Sequence, residues 1–178
     1  GLKHPETIDR TARYHDIQPR SDLPKHFDWR DDVEGGLQPV RNQGSCGSCW
    51  AFSVVSVLES LVKIYDHTLE PNLSEQTLVS TCSNTGSCRG GYMSAFNYLK
   101  SPGVPNEISD PYKAYNTRCR SGLKPAAKIS EWNYVGRADR APSVEQIKAA
   151  IYQYGPVSVT VNGSFSGYSS GIYNRCNN

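Results

Sequence analysis

Apolar positions along the chain recur at helical spacing in one long stretch. Ala51, Val54, Val55, Leu58, Leu61, Val62 and Tyr65 form a broad apolar face, which predicts a central, mostly buried helix starting near Ser48. Ser74 ahead of Glu75 and Gln76 reads as the N-cap of a second helix. A third is expected over Met93 to Lys100, stopped by Ser101-Pro102-Gly103. Val144 to Tyr154 is a fourth, opened by a capping-box pattern at Ser143 and Gln146 and closed by Gly155-Pro156. Beyond it Val157, Val159 and Val161 alternate as a strand would. Residues 23–45 and 102–128 carry dense Pro and Gly and read as loop. Helices first and strands later predict an α+β chain with two segregated lobes.

Composition narrows the function classes. The chain has 178 residues with 20% charged and 37% hydrophobic residues, and its net charge of +2 calls for neither a nucleic-acid nor a polyanion partner. No apolar run reaches membrane-spanning length, so no membrane partner is expected. Residues 1–22 are polar and aperiodic. They read as an N-terminal extension without a core role, so trimming to Leu23 is expected to leave the fold intact. Six cysteines with a single methionine lean toward an oxidising compartment, whether secreted, periplasmic, lysosomal or vacuolar.

The chemistry concentrates in Gln43-Gly44-Ser45-Cys46-Gly47-Ser48-Cys49-Trp50-Ala51-Phe52. Cys49 falls at the start of the long helix, where free N–H groups and the positive end of the dipole stabilise a thiolate, the nucleophilic form of the side chain. Gln43 can aim an amide donor at an oxyanion, with the backbone N–H of Cys49 as the second donor. Two other readings use the same cysteines. Cys46-x-x-Cys49 before a helix fits a thiol–disulfide oxidoreductase, but that reading needs a βαβ pattern, and the Gly- and Pro-rich stretch ahead of Cys46 does not supply one. A zinc site from Cys46, Cys49, Cys82 and Cys88 needs both pairs packed together and leaves Gln43 and Gly90-Gly91 without a role.

Cys46-Gly47-Ser48-Cys49-Trp50 resembles the signature of the papain-like cysteine proteases. The resemblance runs from about Leu23 to Cys176, through Phe27-Asp28-Trp29-Arg30, Leu73-Ser74-Glu75-Gln76, Cys88-Arg89-Gly90-Gly91-Tyr92 and Gly155-Pro156-Val157-Ser158-Val159. It implies a papain-like fold of two lobes, the helical one complete and the barrel-like one only partly present in residues 23–178, with residues 1–22 a pro-segment remnant of a zymogen. It implies Cys49 as nucleophile and Gln43 as oxyanion donor. Gly90 and Gly91 would line the cleft, Gly91 offering its backbone to an extended peptide. Tyr92, Met93 and Thr160 would surround the pocket for the second residue before the scissile bond. Disulfides Cys46–Cys88 and Cys82–Cys119 are implied as well, with Cys176 bridged to a partner outside this chain. Neither a metal nor another cofactor is implied.

The family also uses a His base and an orienting Asn, about 130–150 residues beyond the cysteine. The chain ends 129 residues after Cys49. His4, His15 and His26 precede the nucleophile, and His67 lies about 27 Å along the helix axis from Cys49 at ~1.5 Å per residue. The His and Asn are therefore expected on a downstream segment or second polypeptide, and the chain alone is expected to be inactive. The resulting reading is an endopeptidase acting on peptide or protein substrates. Its alternatives are the heavy chain of a dipeptidyl-peptidase relative, or a truncated, non-catalytic homologue acting as a peptide-binding module. No His-His insertion of the cathepsin B-like carboxydipeptidase kind follows Cys88.

Overall fold

The computed structural model describes residues 13–33, 37–161 and 168–170. In chain order it contains β1 (Tyr14–His15), α1 (Trp29–Asp32), α2 (Cys49–Tyr65), α3 (Glu75–Val79), β2 (Gly86–Ser87), β3 (Gly90–Gly91) and α4 (Ala95–Lys100). A 3₁₀ turn (Glu107–Ser109), β4 (Tyr134–Val135) and α5 (Val144–Tyr154) follow.

The helix α2 runs through the middle of the larger core. Trp50, Ala51, Val54, Val55 and Leu58 are buried together with Leu73, Leu78, Val79, Ala95, Leu99 and Val104. Burying each Val or Leu of this set contributes about 1.5–3 kcal/mol. The apolar stripe narrows toward the C-terminal end of α2: Leu61 and Val62 are half-buried, and Tyr65 is 93% exposed, contrary to its place in the expected face. On the same helix the charged Glu59 and Lys63 are buried, each with an ion-pair partner.

Local chemistry sets the other helices. Ser74 caps α3, its side chain accepting from the N–H of Thr77 at 3.1 Å. The helix α4 starts two residues later than expected, because Met93 and Ser94 form a turn ahead of it. The capping box of α5 is complete: Ser143 Oγ accepts from Gln146 N–H at 3.2 Å, and Gln146 Oε1 accepts from Ser143 N–H at 3.0 Å. Gly155 ends α5 at φ +102°, where a Cβ would also meet Leu61 Cδ2 at 2.7 Å.

The expected strand over Val157–Val161 is absent from the described sheets, and Val159 and Val161 are exposed. Period-2 alternation marks a strand only where a neighbouring strand completes the ladder. None of the described segments pairs with this one.

The N-terminal segment departs further from expectation. Tyr14 and His15 pair in parallel with Tyr134 and Val135, and the Tyr14 and Tyr134 rings stack at 5.2 Å. Ile17 is 6% exposed and packs against Ala149 and Ala150 of α5. Gln146 Nε2 donates to Asp16 Oδ1 at 3.1 Å and to the Ile17 carbonyl at 3.0 Å. One isoleucine among polar neighbours gives no periodic signal, so its core role emerges only from the tertiary fold. The loop 23–45 likewise holds a helical turn, α1, capped by Asp28.

Candidate active site

The candidate site is assembled where α2 begins. Cys46 and Ser48 are buried, while Cys49, the first residue of α2, is exposed. Among the described residues it is the free thiol. Cys46 is joined to Cys88, and Cys82 to Cys119. Three of the four sulfurs needed by the zinc reading are thereby consumed, and Cys46 is no longer available to pair with Cys49 as the redox reading requires. The N–H of Gly47 donates to the Cys88 carbonyl at 2.9 Å, so the loop before Cys49 is tied to the β2–β3 hairpin by backbone as well as by sulfur.

A cleft of about 430 Å³ is lined by Val40, Arg41, Asn42, Gln43, Cys49 and Phe52. Gln43 and Cys49 thus face one space. Gln43 is half-buried, and its side-chain amide makes no hydrogen bond among the described residues. Helix geometry gives the N–H of Cys49 no carbonyl partner within α2. The first turn of α2 carries no acidic side chain, so nothing there opposes the positive end of its dipole.

Gly90 and Gly91 form β3, antiparallel to Gly86 and Ser87. Both are buried, and a Cβ on Gly91 would come within 2.3 Å of Trp50 Cδ2. The indole of Trp50 lies under this hairpin and donates its Nε1–H to the Ser87 carbonyl at 3.2 Å. Gly91 is therefore required by the packing of the residue that follows Cys49. Tyr92 is 38% exposed, whereas Met93 is half-buried against the core and accepts from Ser158 Oγ at 3.5 Å. Thr160 is exposed on the unpaired segment after α5. Cys176 lies outside the described residues.

Among the described residues no hydrogen bond or ion pair joins a histidine to Cys49. His15 packs on the Tyr154 ring at 5.3 Å, and His26 faces Asp31 at 3.4 Å.

Two groups beside the cleft carry no signal in the sequence. The first is a carboxylate cluster around Arg41. Its guanidinium meets Glu59 Oε1 at 3.0 Å and Glu75 Oε1 at 3.3 Å, both carboxylates being about 3% exposed. Burial is the larger influence and raises Glu59, Glu75 and Glu107 above the ordinary carboxylate range, Glu75 to about 7. The single guanidinium opposes this shift without cancelling it, and the neighbouring carboxylates add to it. The second group is Tyr112, whose hydroxyl reaches both Gln43 and Ser48. It sits in the Pro- and Gly-rich stretch read as loop, 69 residues from Gln43 along the chain.

Residues 23–178 match the papain family cysteine proteases as a family. The chain is 38% identical to cathepsin S of Bos taurus, over 97% of this chain and 53% of that protein. It is 34% identical to chymopapain of Carica papaya, over 97% of this chain and 47% of that protein. A structure from work on antibody cross-reactivity between the mite allergens Blo t 1 and Der p 1 superposes with a TM-score of 0.69 at 30% identity, covering 83% of this chain and 49% of that one. The chain belongs to the papain family of cysteine proteases and has part of its two-lobe fold. It spans about half the length of the curated relatives it matches.

Proposed function

We propose that this chain carries the nucleophile of a cysteine endopeptidase. The observation that carries the reading is an exposed free thiol, Cys49, at the N-terminus of a buried helix and in one cleft with the Gln43 amide, which makes no hydrogen bond among the described residues. The thiolate sulfur of Cys49 attacks the carbonyl carbon of a peptide bond. The Gln43 amide and the Cys49 N–H hold the oxyanion; loss of one such donor costs roughly 100- to 1,000-fold in rate. The C–N bond then breaks, the amine leaves with a proton from an imidazolium, and water hydrolyses the thioester to release the acid and regenerate the thiol. The imidazole and the Asn that orients it come from a segment beyond Asn178, with Cys176 as the covalent link to it. The substrate is an extended peptide or protein laid along Gly90 and Gly91, its second residue before the scissile bond meeting Tyr92, Met93 and Thr160. Residues 1–22 belong to a zymogen's pro-segment. Two disulfides suit an oxidising compartment.

The test is labelling of the assembled enzyme with an epoxide of the E-64 type. One equivalent should attach at Cys49, and Cys49→Ala should abolish both labelling and peptide hydrolysis. Labelling that persists in Cys49→Ala overturns the assignment. So does full activity of the 178-residue chain by itself, as regards the second segment.

A further inference from the structure

We propose that the hydroxyl of Tyr112 is a positioning group for the oxyanion hole, holding Gln43 in register with Cys49; this rests on the reading of Cys49 as nucleophile. Tyr112 Oη donates to the backbone carbonyl of Gln43 at 2.8 Å. A hydroxyl has one proton, and Ser48 Oγ has two acceptors in reach, Tyr112 Oη at 2.5 Å and the Cys46 carbonyl at 3.4 Å; with the Tyr112 proton on Gln43, the shorter contact takes the Ser48 proton. The result is a directed relay, Ser48 to Tyr112 to the Gln43 carbonyl.

Each end of the relay sits next to one oxyanion donor. Ser48 is fully buried and immediately precedes Cys49, whose N–H is one donor. It occupies the N-cap position of α2, yet its side chain makes no capping hydrogen bond. The use that usually selects serine at this position is vacant, and the hydroxyl is turned to Tyr112 instead. Gln43, whose side chain is the other donor, lies on the preceding loop, with two glycines between it and Cys49. Such a loop does not by itself hold a fixed separation.

Tyr112 is itself held on two further sides. Its N–H donates to Glu107 Oε1 at 2.7 Å. Its ring meets the Phe52 ring edge-on, with centroids 4.8 Å apart and planes at 83°. Phe52 lines the cleft from the first turn of α2. Tyr112 therefore closes a triangle whose other corners are the loop and the helix start. It touches neither the substrate nor the reacting atoms in this reading, and its effect passes through Gln43.

The experiment compares Tyr112→Phe with the parent in the assembled enzyme, by four measurements. Two involve an oxyanion in the hole: kcat on a peptide, and affinity for a peptide aldehyde, whose carbonyl carbon bonds to the Cys49 sulfur while its oxygen enters the hole. Two do not: KM, and alkylation of Cys49 by iodoacetamide, in which sulfur displaces iodide. Displacing an oxyanion donor without removing it should lower kcat and aldehyde affinity about tenfold each. KM and the alkylation rate should stay within twofold. A role confined to folding would move all four together or none. A folded Tyr112→Phe with unchanged aldehyde affinity overturns the inference, as does a parallel loss of alkylation. If the parent forms no aldehyde adduct at Cys49, the nucleophile reading fails first and the inference falls with it. Should Tyr112→Phe not fold, Ser48→Ala weakens the relay from its other end. It should cost two- to threefold in aldehyde affinity at a constant alkylation rate, and no loss there overturns the proposal.

Discussion

Glu75→Gln should flatten the pH dependence of folding stability. Glu75 is 2% exposed, with a carboxyl raised to about 7 from 4.5, first by burial and then by Glu59 and Glu107. Below pH 4.5 the carboxyl is protonated in folded and unfolded chains alike. Between 4.5 and 7 the folded chain keeps the proton and the unfolded chain has lost it. Stability contributed by this proton is therefore fully present at low pH and is lost as pH rises toward 7. A shift of this size corresponds to about 3 kcal/mol across the window, at 1.36 kcal/mol per unit. Arg41 faces Glu75 from the preceding loop, Glu59 from α2 and Glu107 from the 3₁₀ turn. Glu59 and Glu107 are raised as well, so the parent chain should weaken between pH 5 and 8 by at least the Glu75 share. Glutamine keeps the volume and an oxygen for Arg41 but never ionises. The variant should match the parent near pH 5 and exceed it by about 2–3 kcal/mol at pH 8. Urea titrations followed by tryptophan fluorescence, with the disulfides intact, measure this directly. If Glu75→Gln is instead less stable than the parent at pH 8, the pair of the Glu75 carboxylate with Arg41 outweighs its burial, and the reasoning fails.

Gly91→Ala should destabilise by about 1–3 kcal/mol and shift the Trp50 emission, because the new Cβ would overlap the indole; an unshifted spectrum with unchanged stability would refute the packing role. Removing residues 1–22 should lower the melting temperature, since it strips Ile17 from Ala149 and Ala150 and leaves Gln146 Nε2 without its two acceptors. An unchanged melting curve would restore the expectation drawn from polarity alone. Replacing Cys46 and Cys88 together by serine should cost about 2–4 kcal/mol in urea unfolding through the loop they close, and stability equal to the parent would count against that linkage.

What was legible in the sequence is what local patterns encode. The helices α2 and α5 follow from apolar spacing and from the Ser143–Gln146 cap, and the cleft pairing of Gln43 with Cys49 lies within one ten-residue run. The missing parts depend on contacts far along the chain. Glu59 and Glu75 read as polar helix positions, and only the approach of Arg41 from 18 and 34 residues away makes them buried partners. Tyr112 is one aromatic residue in a loop until it meets Gln43. Val157–Val161 alternates correctly, yet a strand is a property of a pair, and hydropathy along one segment says nothing of its neighbour. Tyr65 extends the helical period of α2 past the point where other elements cover it.

The capping box at α5 has a consequence for the choice of residue 146. A helix of this kind accepts glutamate or glutamine at its third position equally well, since either supplies the oxygen that receives the Ser143 N–H. The N-terminal arm does not. It presents two acceptors, the Asp16 carboxylate and the Ile17 carbonyl, to the nitrogen of that side chain. Exchange of one amide NH₂ for a carboxylate oxygen would preserve the helix start and turn both arm contacts repulsive. Residue 146 thus acts as a latch whose helix side is indifferent to that exchange and whose arm side is not, so a single isosteric change could release the arm while leaving α5 capped.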